Sequence, residues 1–218
     1  MTTTDCYYKK VCSNECSPNC LRLIMFNKLL ELSNLPEMYQ HDIPIYSTKY
    51  DQERYIQLDA IKNDIKSFVD NGKNLYICSK SCGNAKTSWS SKLMLSYFDK
   101  IWDKSFDIAS GIFVNIPTFL IDLKNFNDRP EYISNIKDAK LVIWDDLAFS
   151  RLTDYEHEQL LQYIDYRIAN KKSNIYTSNI TSYEMLVEAV GHRLASRIYN
   201  CSEVIEFMSD DFRAGGNL

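Results

Sequence analysis

The sequence predicts an α/β protein whose core is a parallel sheet flanked by helices. Four apolar runs, Leu75 to Cys78, Ile112 to Val114, Leu141 to Trp144 and Ile175 to Thr177, are continuous rather than alternating, as in strands buried on both faces. Each run is followed by a stretch whose apolar residues recur at helical spacing, and strand–helix alternation is the pattern of parallel sheets. The 5 prolines and 6 glycines punctuate the edges of these segments rather than their interiors.

Taken in order, the chain opens with Cys6, Cys12, Cys16 and Cys20. Leu21 to Leu32 then reads as an amphipathic helix that stops before Pro36, because the residue preceding a proline is pushed out of the α region. The segment to about Tyr50 reads as a linker. From Gln52, the residues Tyr55, Ile56, Leu58, Ile61, Ile65, Phe68 and Val69 follow helical spacing and end at Asn71-Gly72, a left-handed helix cap. Beyond the four runs, a last strand is placed at Val204 to Phe207. Two later helices begin with capping boxes, Thr153 with Glu156 and Thr181 with Glu184, in which hydroxyl and carboxylate each satisfy an end amide. The 218 residues, at roughly 150 per domain, thus divide into a cysteine-rich region with a helix (1–34), a linker (35–51) and an α/β domain (52–218).

Composition excludes several classes of function. With 45% hydrophobic and 25% charged residues the chain has the usage of a globular protein. A formal net charge of -4 rules out histone-like attraction to phosphate backbones, so any nucleic-acid contact must come from a local basic patch or from stacking. No apolar run reaches the roughly 18 residues of a membrane span, and the N-terminal stretch has no secretory-signal pattern. A cytoplasmic protein that does not enter a membrane is expected, with its 7 cysteines reduced.

The residues able to do chemistry lie just after the apolar runs. Ser79 to Thr87 joins the first run to a helix and includes Gly83, Asn84, Ala85, Lys86 and Thr87. This is the setting of a phosphate-binding loop, in which backbone amides surround phosphates, a lysine reaches the β/γ oxygens and a threonine hydroxyl meets Mg²⁺. Against the usual glycine-rich pattern, Lys80 and Ala85 replace the two glycines, and Ala85 is expected to be strained. The run Leu141 to Trp144 ends in Asp145 and Asp146, and carboxylates at a strand's C-terminal end lie where ligands bind in α/β sheets. Asp145 would hold the Mg²⁺ and Asp146 would orient the attacking water. The run Ile175 to Thr177 ends in Ser178 and Asn179, a polar end able to touch a γ-phosphate.

Residues 82–89 (CGNAKTSW), 141–179 (LVIWDDLAFSRLTDYEHEQLLQYIDYRIANKKSNIYTSN) and 190–198 (VGHRLASRI) together resemble the AAA+ domain of DnaC/DnaI-type replicative helicase loaders, in particular the short versions encoded by phages. The resemblance spans about residues 56 to 213. It implies a P-loop AAA+ sheet in which a sensor strand separates the Walker B strand from the P-loop strand. It makes Lys86 and Thr87 Walker A residues, Asp145 and Asp146 Walker B, and Asn179 sensor 1. It also places an arginine finger, which reaches a neighbouring subunit's γ-phosphate, at Arg197 or at Arg193 four residues before it. Implied with it are ATP and Mg²⁺, slow hydrolysis, a replicative hexameric helicase and single-stranded DNA as partners, self-association through AAA+ interfaces, and a bacterial cytoplasm. Two other readings remain open: an IstB-like transposition helper ATPase, and a helicase-binding adaptor that does not hydrolyse ATP.

The four N-terminal cysteines, with five, three and three residues between them, have the number and proximity of a tetrahedral site. Zn²⁺ is expected there, an iron–sulfur cluster being the alternative. Tyr7 and Tyr8 beside Lys9 and Lys10 are a stacking-and-charge combination for single strands, or a cover for the metal module.

Overall fold

The computed structural model describes residues 6–8, 12, 17, 19–41, 44–103, 110–124, 130–148 and 151–209. The elements follow the apolar pattern closely. Helix α1 (Leu21–Ser33) ends at Asn34 in the left-handed region, before Pro36. The helical stretch from Gln52 is two helices, α2 (Gln52–Asn63) and α3 (Ile65–Asp70), and Gly72 beyond them takes φ 64°. A Cβ on Gly72 would lie 2.4 Å from the carbonyl oxygen of Lys171, so close approach as well as φ requires glycine there.

Strand β1 (Asn74–Ser79) leads into α4 (Lys86–Ile101), β2 (Gly111–Asn115) into α5 (Ile116–Lys124) and α6 (Pro130–Asp138), and β3 (Leu141–Leu147) into α7 (Asp154–Ala169). Strand β4 (Ser173–Ser178) is followed by α8 (Tyr183–Val190), α9 (His192–Tyr199) and β5 (Glu203–Phe207). All ladders are parallel and the strand order is β2-β3-β4-β1-β5. Strand β4 therefore lies between the strand that leads to Lys86 and Thr87 and the strand carrying the two acids.

Each central strand alternates its apolar residues between two cores. Leu75, Ile77, Ile143 and Ile175 pack with Leu93, Met94 and Phe98 of α4 on one face. Tyr76, Cys78, Trp144 and Tyr176 pack with residues of α5 to α9 on the other. Both faces are apolar because both are covered, which is why the runs are continuous in sequence. Helix α1 joins the first core through Phe26, Leu29 and Leu30, and Tyr8 enters it beside Phe26, with the Arg22 guanidinium 3.7 Å from the Tyr8 ring. Among the described residues no helix is long and apolar enough to cross a membrane.

One capping box forms as expected: Thr153 Oγ1 accepts from the Glu156 N–H, and Glu156 accepts from the Thr153 N–H. The second expectation is corrected by one residue. Ser182, not Thr181, caps α8, its hydroxyl accepting from the Met185 N–H. Both residues are N-cap formers, and the backbone path out of β4 decides between them.

Candidate functional site

The loop expected to bind phosphate leaves β1 at the C-terminal edge of the sheet and enters α4 with no side-chain cap on that helix. Its amide-rich, positive end therefore faces the loop. Gly83 and Ala85 both have positive φ, 75° and 64°. Ala85 adopts the left-handed conformation that glycine takes without penalty, so the expected strain is present, on the order of 1–2 kcal/mol.

Lys86 is gathered into this loop. Its ammonium donates to Ser79 Oγ at 2.8 Å, Ser81 O at 3.0 Å and Asn84 Oδ1 at 3.0 Å. Burial pushes its pKa down, opposed by the neighbouring thiols and the carboxylates of Asp146 and Asp145. Asn84 is itself buried and donates to Ser209 O at 3.4 Å, and Ser209 in turn donates its N–H to the buried Asp51 carboxylate at 3.1 Å. The loop is thus tied to the start of α2 and to the end of β5.

The structure brings Thr87 and Asp145 together: Thr87 Oγ1 donates to Asp145 Oδ1 at 2.9 Å. The same oxygen accepts from Thr177 Oγ1 at 2.7 Å. Burial raises the Asp145 pKa, while these two hydroxyls favour its ionised form. A divalent cation beside Asp145 would find the Thr87 hydroxyl next to the carboxylate, an all-oxygen donor set suited to Mg²⁺. Asp146 projects differently. A register shift between Trp144 and Leu147 and a φ of 60° turn it out of the strand, leaving it exposed. Its N–H donates to Thr177 Oγ1 at 3.1 Å, and its Oδ2 accepts from Asn115 Nδ2 at 3.5 Å. Asn179 reaches over the loop, its Nδ2 lying 3.5 Å from Cys82 Sγ.

The two arginines lie elsewhere. On α9, Arg197 Nε meets Asp165 Oδ1 of α7 at 2.7 Å, and Arg193 lies 4.0 Å from the same carboxylate. Their side chains are 45% and 70% exposed, so Arg193 is the freer of the two. Of the cysteines, Cys16 lies outside the described residues, Cys12 and Cys20 are exposed and Cys6 is half-buried. Among the described residues no group of three or more His, Cys, Asp or Glu side chains is gathered to hold a metal ion. The zinc expectation rests on the sequence alone.

Three residues at this site carry positions the sequence reading did not assign. Thr177 bridges the two acids, Asn115 holds Asp146, and Ser79 holds Lys86. The available signal was the one that singled out Asp145 and Asn179, namely polar residues at the C-terminal ends of buried strands. A fourth residue, Arg167, is structural. Fully buried at the end of α7, it donates to Asn174 Oδ1 and to the carbonyls of Ile136, Ala139 and Ser173, all within 2.8 Å. Burial pushes its pKa down to about 9.

Compared with protein-family models and with curated proteins, the chain matches none. Solved structures do match. The DnaC helicase loader superposes with a TM-score of 0.66 at 20% identity, over 79% of this chain and 99% of that one. DnaI matches with a TM-score of 0.64 at 17% identity, over 84% and 98%. AMPPCP-bound DnaA from Aquifex aeolicus matches with a TM-score of 0.58 at 17% identity, over 83% of this chain and 54% of that one. With its strand order, its phosphate loop before α4 and its paired acids at the end of β3, the chain has the AAA+ fold of the DnaC-type helicase loaders and of DnaA.

Proposed function

We propose that this chain is a helicase-loader-like AAA+ ATPase that binds ATP·Mg²⁺, assembles beside a replicative hexameric helicase in the bacterial cytoplasm, and uses its nucleotide state to deliver that ring onto single-stranded DNA. The observation that carries the reading is the meeting of Thr87 and Asp145 beside Lys86 at the mouth of a sheet with this fold. The bound nucleotide supplies the phosphoanhydride, and its Mg²⁺ supplies charge neutralisation. The chain's own residues do the rest. Lys86 exchanges its bonds to Ser81 and Asn84 for phosphate oxygens, and the loop amides with the α4 N-terminus hold negative charge. Thr87 and Asp145 form the cation's protein ligands. Asp146, turned outward and held by Asn115, orients water, and Asn179 positions the terminal phosphate. Arg197, released from Asp165, acts on a neighbouring subunit's nucleotide, so that self-association completes the site.

One observation favours a second reading, the non-hydrolysing adaptor: Lys86 is already satisfied by three partners inside a loop that Ala85 strains. Mant-ATP titration, phosphate release and capture of a hexameric helicase, measured on the wild type, Lys86→Ala and Arg197→Ala, separate the two readings. The loader reading expects Lys86→Ala to weaken ATP binding at least tenfold, and Arg197→Ala to keep ATP affinity while losing turnover. ATP binding and helicase capture without phosphate release would identify the adaptor. ATP affinity unaffected by Lys86→Ala would refute a nucleotide site at this loop.

A further inference from the structure

At the end of the sheet opposite the phosphate loop, the residues that precede three adjacent strands are lysines. Lys140 precedes β3, Lys172 precedes β4 and Lys73 precedes β1, and β4 lies between the other two. The register Leu141↔Ser173 sets Lys140 level with Lys172, roughly one strand spacing of 4.8 Å apart, and the register Asn74↔Asn174 sets Lys73 beside Ser173, one residue further along. Lys171 lies against Gly72, next to Lys73. Lys137, at the end of α6, reaches over the ring of Tyr166 at 5.8 Å, and Tyr166 is 41% exposed.

This end carries more positive charge than it neutralises. Asp138 lies 3.8 Å from Lys172, Asp70 is paired with Lys66, and Glu203 is exposed at the edge strand β5. Among the described residues, Asp138, Asp70 and Glu203 thus stand with six lysines, in a chain whose formal net charge is -4. Lys73, Lys140 and Lys171 are exposed. Lys172 has its pKa pushed down by burial first and then by the like charges of Arg167 and Lys140, so the cluster repels itself. A polyanion relieves that repulsion, and an exposed aromatic beside the lysines gives a base a surface to stack on.

We infer that the lysine cluster Lys73, Lys140, Lys171 and Lys172, with Lys137 and Tyr166 at its side, is a binding surface for the backbone and bases of single-stranded DNA. It names the surface for the DNA partner of the loader reading, yet its evidence is charge and geometry on the face away from the nucleotide. A strand of phosphates suits a compact cluster of cations, and the exposed tyrosine offers a base a stacking surface that an acidic peptide does not use, so nucleic acid is favoured over an acidic protein segment.

The test is fluorescence anisotropy of the full chain with a labelled 20-nucleotide oligothymidylate between 50 and 200 mM NaCl. Single-strand contacts contribute a slope in log–log salt dependence of roughly 0.7 per phosphate. The triple variant Lys73→Gln/Lys140→Gln/Lys171→Gln should therefore flatten the slope by about 2 and weaken binding at least tenfold. Tyr166→Ala should weaken binding about fivefold or more. The triple Lys→Arg variant should bind as the wild type does. The inference is overturned if the wild type does not bind, if the triple Gln variant binds unchanged, or if labelled polyglutamate binds as tightly and is lost with the same lysines. Mant-ATP binding measured on the same samples keeps the two readings apart. ATP binding without DNA binding refutes this surface only, and DNA binding lost with the lysines but without ATP binding refutes only the loader reading.

Discussion

Thr177→Val is the sharpest perturbation of the site, because it replaces one buried atom and leaves the side-chain shape unchanged. In the native protein the Thr177 hydroxyl donates to Asp145 Oδ1 at 2.7 Å and accepts the Asp146 N–H at 3.1 Å. Losing a bond to a charged acceptor costs about 1.5–3 kcal/mol, and an orphaned amide costs about 1–3 kcal/mol. The added methyl group in a buried position offsets about 0.8 kcal/mol. The net destabilisation is about 2–5 kcal/mol, which for a chain of this size lowers Tm by about 4–20 °C. Thr177→Ser keeps both bonds and loses one methyl group, costing only about 1 kcal/mol. Urea denaturation of the three proteins measures the difference. A second readout separates a bridge between the acids from ordinary packing. Burial already raises the Asp145 pKa, and the Thr177 and Thr87 hydroxyls oppose that rise. In Thr177→Val the protonated form gains ground, so the proposed Mg²⁺-dependent nucleotide binding, which would need the ionised carboxylate, should decline at higher pH than in the wild type as pH falls. Thr177→Val within 1 kcal/mol of the wild type, or Thr177→Ser as destabilised as Thr177→Val, would refute the reasoning.

Two further outcomes follow from the backbone and from a cap. Ala85→Gly should relieve about 1–2 kcal/mol of left-handed strain while adding about 0.5–1 kcal/mol of unfolded-chain freedom, a net gain of about 0–1.5 kcal/mol; Ala85→Val, β-branched at the same φ, should lose stability, and denaturation curves showing the reverse order would dismiss the strain. Thr153→Ala should cost about 1 kcal/mol by uncapping α7. The Thr153 N–H and then Lys124 hold the Glu156 pKa down to about 2, below its unfolded value of roughly 4.3. The contribution of Glu156 is therefore complete above that unfolded value and is lost as pH falls toward 2. Glu156→Gln should flatten acid denaturation over this window, and identical acid profiles would show the carboxylate to be unpaired in solution.

Much of the fold is legible in local sequence because the forces that make its elements are local. Continuous apolar runs mark β1 to β4, helical spacing marks the flanking helices, and Thr153 with Glu156 marks the start of α7. The less legible parts are those where a partner comes from far along the chain. Thr177 reads as one more residue of an apolar strand until β3 and β4 lie side by side. Asn115 becomes a neighbour of Asp146 only through the β2–β3 ladder, and Arg167 finds four acceptors on α6, β4 and the turn before β3. Even Ser182 against Thr181 is not legible from sequence, since both are N-cap formers, and the structure selects Ser182, the stronger of the two.

The sequence by itself therefore determined the α/β class, the position of Lys86 and Thr87 at the loop that opens a helix after the first strand, and the acids at the end of one buried strand. Each of these is a periodicity or a short spacing, and short-range spacing is what a chain carries without its fold. Resemblance to a family, not spacing, placed a sensor strand between the other two, and the order β2-β3-β4-β1-β5 bears it out. Only the tertiary structure decided that Asp145 shares one oxygen between Thr87 and Thr177, that Asp146 turns out of its strand, and that three strand-opening lysines gather at the opposite end of the sheet. In a parallel sheet every neighbour is reached through a crossover of a dozen or more residues. Side chains from different strands therefore meet only when the whole sheet has closed its two cores.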